Sequence, residues 1–463
     1  MISQFNQPRA VLIPIARGSI TRNILRSGVL ERLTNQGWRV VIVFYNPFGQ
    51  PIPKYLTDEF TGPRVIVESA SAPKYPLLKR KFYRIFCYLS DFLVYDYSNR
   101  LIRRVRNNDN VVWFQLKRLF LQLSSRLNFL KKFIRFIDQF FFTSHFYTFL
   151  FDKYRPDIVF STSIISSFDL EFLREARHRG LKTIAMPRGW DNVNTKLYRH
   201  APDLLIVQNP EMRQQAIRIQ NFPAARVKVT GFPQFDWYRR PNILLTREEF
   251  CRRTGLDPKR KIIFWGSSGR WTPVDGNIAQ TIIAAVRSNK LIAPTNLIIR
   301  PHFSDLATRR FDHLADGKTV FVDKNYTPSN FFWDGWDPNV TETIMFTNTI
   351  YHADVIISLC STLVLDVLCF DKPIINTAYK SFYDAHGHDV SHLLYSPTVY
   401  APVLAEKAVD LVKSETELIT SLNHYLRTPD YKHDNRLRAR DRMCYQIDGQ
   451  ASQRIVDALM SLL

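Results

Sequence analysis

Cysteine is scarce and unpatterned. The chain has five among 463 residues, at positions 87, 251, 360, 369 and 444. None has metal-ligand spacing, and an odd, scattered count argues for structural thiols in a reducing compartment. Long apolar runs are also missing. A membrane-crossing helix needs around 20 predominantly apolar residues. The best stretch, 133–151, contains Arg135, Asp138 and His145, so no span is expected. The amino terminus, MISQFNQPRAVLIPIARGS, lacks a basic start followed by a long apolar core, so secretion is not expected. The turn after the first apolar run has one glycine, Gly18, which does not make a dinucleotide-binding fingerprint. No internal repeat or low-complexity run is evident. No helix-turn-helix, zinc-finger or RNA-binding signature is visible either, so nucleic acid is not an expected partner.

What the sequence does have is positive charge. Lys and Arg number 63 against 42 Asp and Glu, a formal charge of +21. Such an imbalance points to an anionic partner. The hydrophobic fraction of 45% is that of a globular protein, and the length makes two domains the default. The charge is concentrated in residues 74–155, which hold 17 Lys/Arg, five Asp, no Glu and 22 aromatic residues, a net +12. Runs such as LKRKFYRIFCYL and LNFLKKFIRFIDQFFF read as amphipathic helices with basic and aromatic faces. A segment of this kind suits the surface of an anionic membrane, where each Lys or Arg contributes about 1 kcal/mol. The competing reading is a helical insertion with aromatics in a core and charges in water.

Outside that segment the pattern is regular. Residues 10–15 are a buried strand, 22–36 have helical periodicity, and 40–44 are a second strand. Residues 64–67 and 158–162 continue the series, followed by a helix over 168–179 and a strand over 182–186. That strand runs into PRGWDNVNTK, 187–196. Strands over 203–207 and 227–230 follow, the second entering GFPQFDWY, and Arg239-Arg240-Pro241 reads as a linker. A second α/β series begins at Lys261, with strands over 262–265, 297–300 and 319–322 and helices over 278–286, 406–412 and 416–426. A final helix ends the chain.

Residues 353–376, ADVIISLCSTLVLDVLCFDKPIIN, make a strand–turn–helix–strand unit. Ser358, Ser361 and Thr362 stand at the start of its helix, where unpaired N–H groups and the helix dipole attract phosphate. Asp366, one turn later, is placed to accept hydrogen bonds from a ribose. An ordinary β–α–β unit with capping serines reads the same way.

Four segments, taken in order, resemble a known family: VTGFPQFD (229–236), RPH (300–302), the 353–376 unit, and DGQASQRI (448–455). The chain looks like a two-domain GT-B glycosyltransferase. It resembles most the group containing CDP-glycerol glycerophosphotransferases and relatives of UDP-GlcNAc 2-epimerases, used in bacterial surface-polysaccharide assembly. The resemblance covers most of the chain outside residues 70–155. It implies an α/β fold of two Rossmann-like, doubly wound domains facing a cleft, with the basic aromatic helical segment inserted in the first. The expected divisions are an acceptor domain over 1–240 (insertion about 74–155), a nucleotide-donor domain over 241–448, and a C-terminal helix over 449–463 that can pack back on the first domain. There are departures. The epimerases carry Gly-Thr-Arg-Pro-Glu near the first strand, whereas ARGSITRN stands here, which argues against epimerisation. The glycerophosphotransferases often have an acidic or aromatic residue where Cys360 stands.

No Asp-x-Asp occurs anywhere in the chain, so stabilisation of a leaving nucleotide is expected from fixed dipoles and cations, without metal or other cofactor. The donor site is expected at Ser267, Ser268, Arg270, Arg300, His302, Ser358, Ser361, Thr362 and Asp366. An interdomain salt bridge is the competing reading of Arg300 and His302. Asp191 is the expected general base, a structural turn-capping Asp being the alternative. Arg17, Asn23, Arg188, Asn192 and Lys196 are expected to contact acceptor or phosphate. The function expected is metal-independent sugar transfer from a nucleotide-sugar to a surface-glycan, lipid-linked acceptor. The enzyme would be cytoplasmic and peripheral to the inner face of the membrane. Transfer of a polyol phosphate from a CDP-linked donor is one alternative, and a non-catalytic membrane-associated binding or assembly protein is another.

Overall fold

A computed structural model describes residues 8–94, 101, 104–105, 110–269, 272–288, 290–305, 308–396 and 399–463. Two all-parallel sheets organise the chain. The first has seven strands in the order β3-β2-β1-β4-β5-β6-β7. These are β1 (Ala10–Ile15), β2 (Arg39–Tyr45), β3 (Val65–Ala70), β4 (Ile158–Ser161), β5 (Lys182–Ala185), β6 (Leu204–Val207) and β7 (Val227–Val229). The second has six strands in the order β10-β9-β8-β11-β12-β13. These are β8 (Lys261–Gly266), β9 (Thr295–Arg300), β10 (Val320–Val322), β11 (Val355–Ser358), β12 (Ile374–Thr377) and β13 (Asp410–Val412). Parallel strands covered on both faces read as continuous apolar runs. All six residues of β1 and all four of β11 are buried accordingly.

Both strand orders reverse direction once, between β1 and β4 and between β8 and β11. Crevices at such reversals, beyond the carboxyl ends of the strands, are where ligands bind in open α/β sheets. The register fixes what reaches each crevice. Val11 and Leu12 pair with Ile158 and Val159, and Ser358 pairs with Gly266.

Several local readings change. The 22–36 helix begins earlier, at Gly18, and passes through a π turn over Thr21–Leu25. Gly28, at φ +115°, then breaks it before Val29–Asn35. Residues 406–412 contain no helix. They end in the edge strand β13, and the helix Ala401–Ala405 lies ahead of them. The stretch between β10 and β11 contains a helix, Val340–His352, that sequence periodicity does not reveal.

Between β3 and β4 lie the helices Leu77–Ser90, Val111–Ser124 and Asn128–Phe141, each 14 residues long. Among the described residues, no helix is long and apolar enough to cross a membrane.

The two sheet units are clasped from both sides. Residues 323–339 leave the second unit and dock on the first. Phe331 and Phe332 are buried with their ring centres 6.1 and 5.7 Å from that of Phe44. Asp337 accepts from Thr21 Oγ1 (2.6 Å) and pairs with Arg26 (2.6 Å), which also holds Glu59. Gly18 is required here, since a Cβ on it would stand 1.8 Å from the Trp336 carbonyl oxygen. At the other end the helix Ala451–Met460 returns to the first unit. Asp236 accepts from the N–H groups of Ala451 and Ser452 at 3.0 and 2.8 Å, so VTGFPQFD and DGQASQRI meet directly.

Candidate functional site

The cleft lies where the carboxyl ends of β1, β4 and β5 face those of β8 and β11. The loop after β5 carries Asp191. Its carboxylate is solvent-accessible yet sits deep among protein atoms, and this burial raises its pKa above the ordinary carboxylate value while Arg188 opposes the rise. Asn192 is buried and fixes it, donating to Asp191 Oδ1 at 3.0 Å and accepting from the Gly189 N–H at 3.2 Å. A carboxylate tuned towards neutrality and held in one orientation is suited to take a proton.

Two arginines accompany it. Burial and the nearby Arg188 lower the pKa of Arg17, with Asp334 acting against them. Among the described residues, neither Arg17 nor Arg188 makes a side-chain hydrogen bond or ion pair. Like charges held together favour an anionic ligand. Lys196 is exposed at the end of the same loop. Asn23 is half-buried and accepts from Arg22 Nε at 3.0 Å.

The opposing wall is the start of the helix Leu363–Cys369. Thr362 is exposed and accepts from Trp190 Nε1 at 3.2 Å, so the Asp191 loop touches this wall directly. Ser361 Oγ accepts from the Leu363 N–H at 3.3 Å. Cys360 lies within electrostatic reach of Asp191; burial first, then that charge, raises its thiol pKa. Asp366, one turn further, accepts from the Tyr238 hydroxyl. Burial raises its pKa to about 6, with Tyr238, Arg22 and Arg300 opposing.

Most of the other expected donor residues of the second unit are engaged by neighbouring groups. Arg300 is buried between the rings of Tyr326 and Phe346, at 4.2 and 4.8 Å, and is paired with Asp323 and Glu342. Ser267 donates to Asp305 at 3.1 Å and accepts from the Gly269 N–H and from Arg310. Ser358 is buried, donates to the Leu359 carbonyl and accepts from Asn376. Ser268 has a buried hydroxyl with no partner among the described residues. His302 Nδ1 accepts from the Ser304 N–H at 3.2 Å, and burial pushes its pKa down to about 4, so the ring is neutral. Arg270 lies outside the described residues.

Sequence reasoning passed over three residues that shape this site. Trp190 stands inside the PRGWDNVNTK loop yet bridges to Thr362. Tyr238 sits in GFPQFDWY and holds Asp366. Arg22 lies over the Trp336 ring at 5.6 Å and acts on Asp366. The first two were in quoted motifs; no local signal connected them to a partner more than a hundred residues away.

Two parallel, doubly wound sheets facing across a cleft are the arrangement of the GT-B fold. A family model described as CDP-Glycerol:Poly(glycerophosphate) glycerophosphotransferase matches residues 178–461, and the chain belongs to that family. Solved structures share the fold at low identity. They include UDP-GlcNAc 2-epimerase from Neisseria meningitidis bound to UDP-GlcNAc (12% identity, TM-score 0.55, 98% of this chain and 100% of that one). A glycosyltransferase from Rickettsia africae also matches (11%, TM-score 0.52, 99% of each chain). A third is the wall teichoic acid polymerase TagF (11%, TM-score 0.52, 98% of this chain and 89% of that one). No curated protein matches the chain in sequence.

Proposed function

We propose that the chain transfers a polyol phosphate from a CDP-linked donor to a hydroxyl of a surface-glycan acceptor. One observation carries the reading: Arg17 and Arg188 stand unpaired beside Asp191 in the cleft of a glycerophosphotransferase family member. Asp191 takes the proton of the acceptor hydroxyl as its oxygen attacks the polyol-bearing phosphorus. The bond from that phosphorus to the bridging oxygen breaks, and CMP leaves with the electron pair. Arg17 and Arg188 hold the phosphate oxygens, and the helix start at Ser361 and Thr362 faces the same charge. Fixed cations already aimed at developing charge need no reorganisation during the reaction. The reading uses no metal. Asp366, in the first turn of that helix, is the ribose partner. The acceptor is lipid-linked, so the enzyme works peripherally on the inner face of the membrane.

A second reading is favoured by Cys360, which departs from the acidic or aromatic residue common in the family. It is sugar transfer, in which the acceptor oxygen attacks the anomeric carbon and a nucleoside diphosphate leaves. Thermal shift against CDP, CMP, UDP, GDP and TDP, without and then with divalent metal, separates the two. A ligand at 100 times its dissociation constant adds about 2.7 kcal/mol of stability. CDP or CMP should stabilise without metal, and Asp366→Ala should abolish the shift. Stabilisation by UDP, GDP or TDP alone favours sugar transfer. No shift at millimolar nucleotide would instead favour a non-catalytic binding or assembly role.

A further inference from the structure

We propose that the helix Asn128–Phe141 docks on an anionic lipid leaflet and transmits that docking to the loop carrying Asp191. The inference rests on the proposed function only for the role it gives Asp191.

The outer face of this helix is an aromatic stripe. Phe129, Phe133, Phe136 and Phe140 recur at spacings of four, three and four residues, which place them on one side. All four are more than half exposed. The helices Leu77–Ser90 and Val111–Ser124 present comparable stripes, with Phe82 and Trp113 at 65% and 73% exposure. Of the 32 large hydrophobic residues exposed in the described structure, 21 lie between residues 77 and 149. Apolar patches of this extent mark interaction sites. The charge of the patch selects the partner. The three helices carry nine Lys/Arg, of which Lys131 and Arg135 face inward and seven remain for the patch, and one acidic residue, Asp138, which is buried against Arg174. A surface both aromatic and uniformly cationic matches an anionic bilayer, where rings enter the headgroup boundary and cations meet lipid phosphate.

The inner face grips the catalytic loop. Lys131, 1% exposed, donates to the Ile219 carbonyl at 2.8 Å. Arg135 donates to the carbonyls of Tyr198 (2.9 Å) and Gln220 (2.6 Å) and lies 4.7 Å from the centre of the Phe222 ring. Burial pushes the Arg135 pKa down to about 10, which reflects how far the guanidinium is withdrawn from water. Gln220 in turn donates to the carbonyls of Val193 and Lys196 and accepts from the Tyr198 N–H. Leu197, from the same loop, packs in one small cluster with Leu130 and Ile134 of the helix. The helix therefore holds the loop from Asp191 to Tyr198 directly through Arg135 and an apolar contact, and indirectly through residues 219–220, which Lys131 and Arg135 grip and whose Gln220 side chain ties down the loop. Tyr198 itself is fully buried with an unpartnered hydroxyl, within electrostatic reach of Asp191. A shift of the helix on docking moves the carbonyls that set the loop.

The test uses the full chain with extruded vesicles of phosphatidylcholine alone or mixed with phosphatidylglycerol. Co-sedimentation is read alongside amide hydrogen exchange of residues 187–199. Anionic vesicles should bind at least about tenfold more tightly than neutral ones and lose that advantage in 1 M salt. Bound vesicles should change exchange in 187–199. Combined Phe133→Ser, Phe136→Ser and Phe140→Ser should abolish both effects. Arg135→Met, or Lys131→Met should the first not fold, should keep vesicle binding and lose the exchange response. No preference for anionic vesicles, or self-association through this face without vesicle binding, overturns the docking. Binding that leaves 187–199 unchanged overturns the coupling. Neither readout needs turnover or nucleotide. A failed nucleotide screen with a positive vesicle result therefore sinks the transferase reading alone.

Discussion

At the two strand-order reversals the same architecture is used in opposite ways. Around β1 and β4, and on the loop after β5, charged side chains reach the cleft without an ion pair among the described residues: Arg17, Arg188 and Lys196, beside Asp191, whose carboxylate accepts only from Asn192 there. Around β8 and β11 the polar side chains are largely spent on one another: Arg300 on Asp323 and Glu342, Ser267 on Asp305, Ser358 on Asn376. A buried ion pair costs desolvation that its attraction only partly offsets, and removing one member leaves an uncompensated charge. An unpaired cation in an accessible cleft carries no such dependence. On the proposed reading the first unit supplies the free charge for chemistry, whereas the second is a preorganised wall that contributes Thr362, Ser361 and Asp366. Variants on the two walls should separate into losses of turnover and losses of stability.

The largest expected effect is on turnover. Asp191→Asn keeps the shape and the Asn192 contact but removes the proton acceptor. It should cost about 10²–10⁴-fold in kcat, with the nucleotide-induced thermal shift unchanged. A loss below about tenfold would move the base elsewhere and blur the contrast between the walls.

Arg300→Met should act on stability instead. It leaves Asp323 and Glu342 buried without their cation, at a cost of about 3–5 kcal/mol. Urea unfolding followed by tryptophan fluorescence would read it, since Trp265 and Trp336 both belong to the second unit. A variant that unfolds like the parent but loses nucleotide binding would return Arg300 to the donor site.

How much of this was readable in sequence follows the same division. The buried strands were legible because parallel strands are continuous apolar runs: residues 10–15, 262–265 and 355–357 were located within a residue or two. The family resemblance rested on segments that structure now joins, Asp236 with Ala451 and Ser452. Strand β13 was read as helix because its three residues are too short for a period to emerge and it lies at the sheet edge. Residues 323–339 went unread because their partners, Phe44, Gly18 and Arg26, lie some 300 positions away. The same distance problem governs the site. Sequence marks Arg188 and Arg300 alike, as arginines beside strand ends. Only the fold shows that Arg300 is ion-paired with two buried acids, whereas Arg188 makes no ion pair among the described residues and acts on Asp191 from a distance.

A smaller effect separates Asp366 from both groups. Burial lifts its pKa to about 6 from an ordinary value near 3.8. A carboxyl with a raised folded-state pKa binds its proton more tightly when folded, so its contribution to stability declines as pH rises between those values. Asp366→Asn mimics the protonated form and still accepts from Tyr238. It should be more stable than the parent at pH 7.5 by about 2–3 kcal/mol, with the gap closing by pH 4. Urea midpoints at the two pH values would show it. A gap that grows towards acid would mean Asp366 is held ionised by Arg22.

The smallest expected change in stability is the most discriminating for the comparison. Arg188→Met removes a cation with no ion pair, and its midpoint of unfolding should stay within about 0.5 kcal/mol of the parent. Its effect should appear in the pH profile. Arg188 opposes the burial that raises the Asp191 pKa. Without that positive charge the ionised carboxylate is less favoured, so its pKa rises further. The base must be ionised to work, and the acid limb of kcat against pH should move to higher pH, together with an increase in KM from the lost phosphate contact. Arg188→Lys should restore most of the limb position but less of KM, because a lysine supplies the charge without the two-pronged geometry. An unmoved limb in Arg188→Met would separate Arg188 from the base, and a large stability loss would place it with Arg300 among the structural cations.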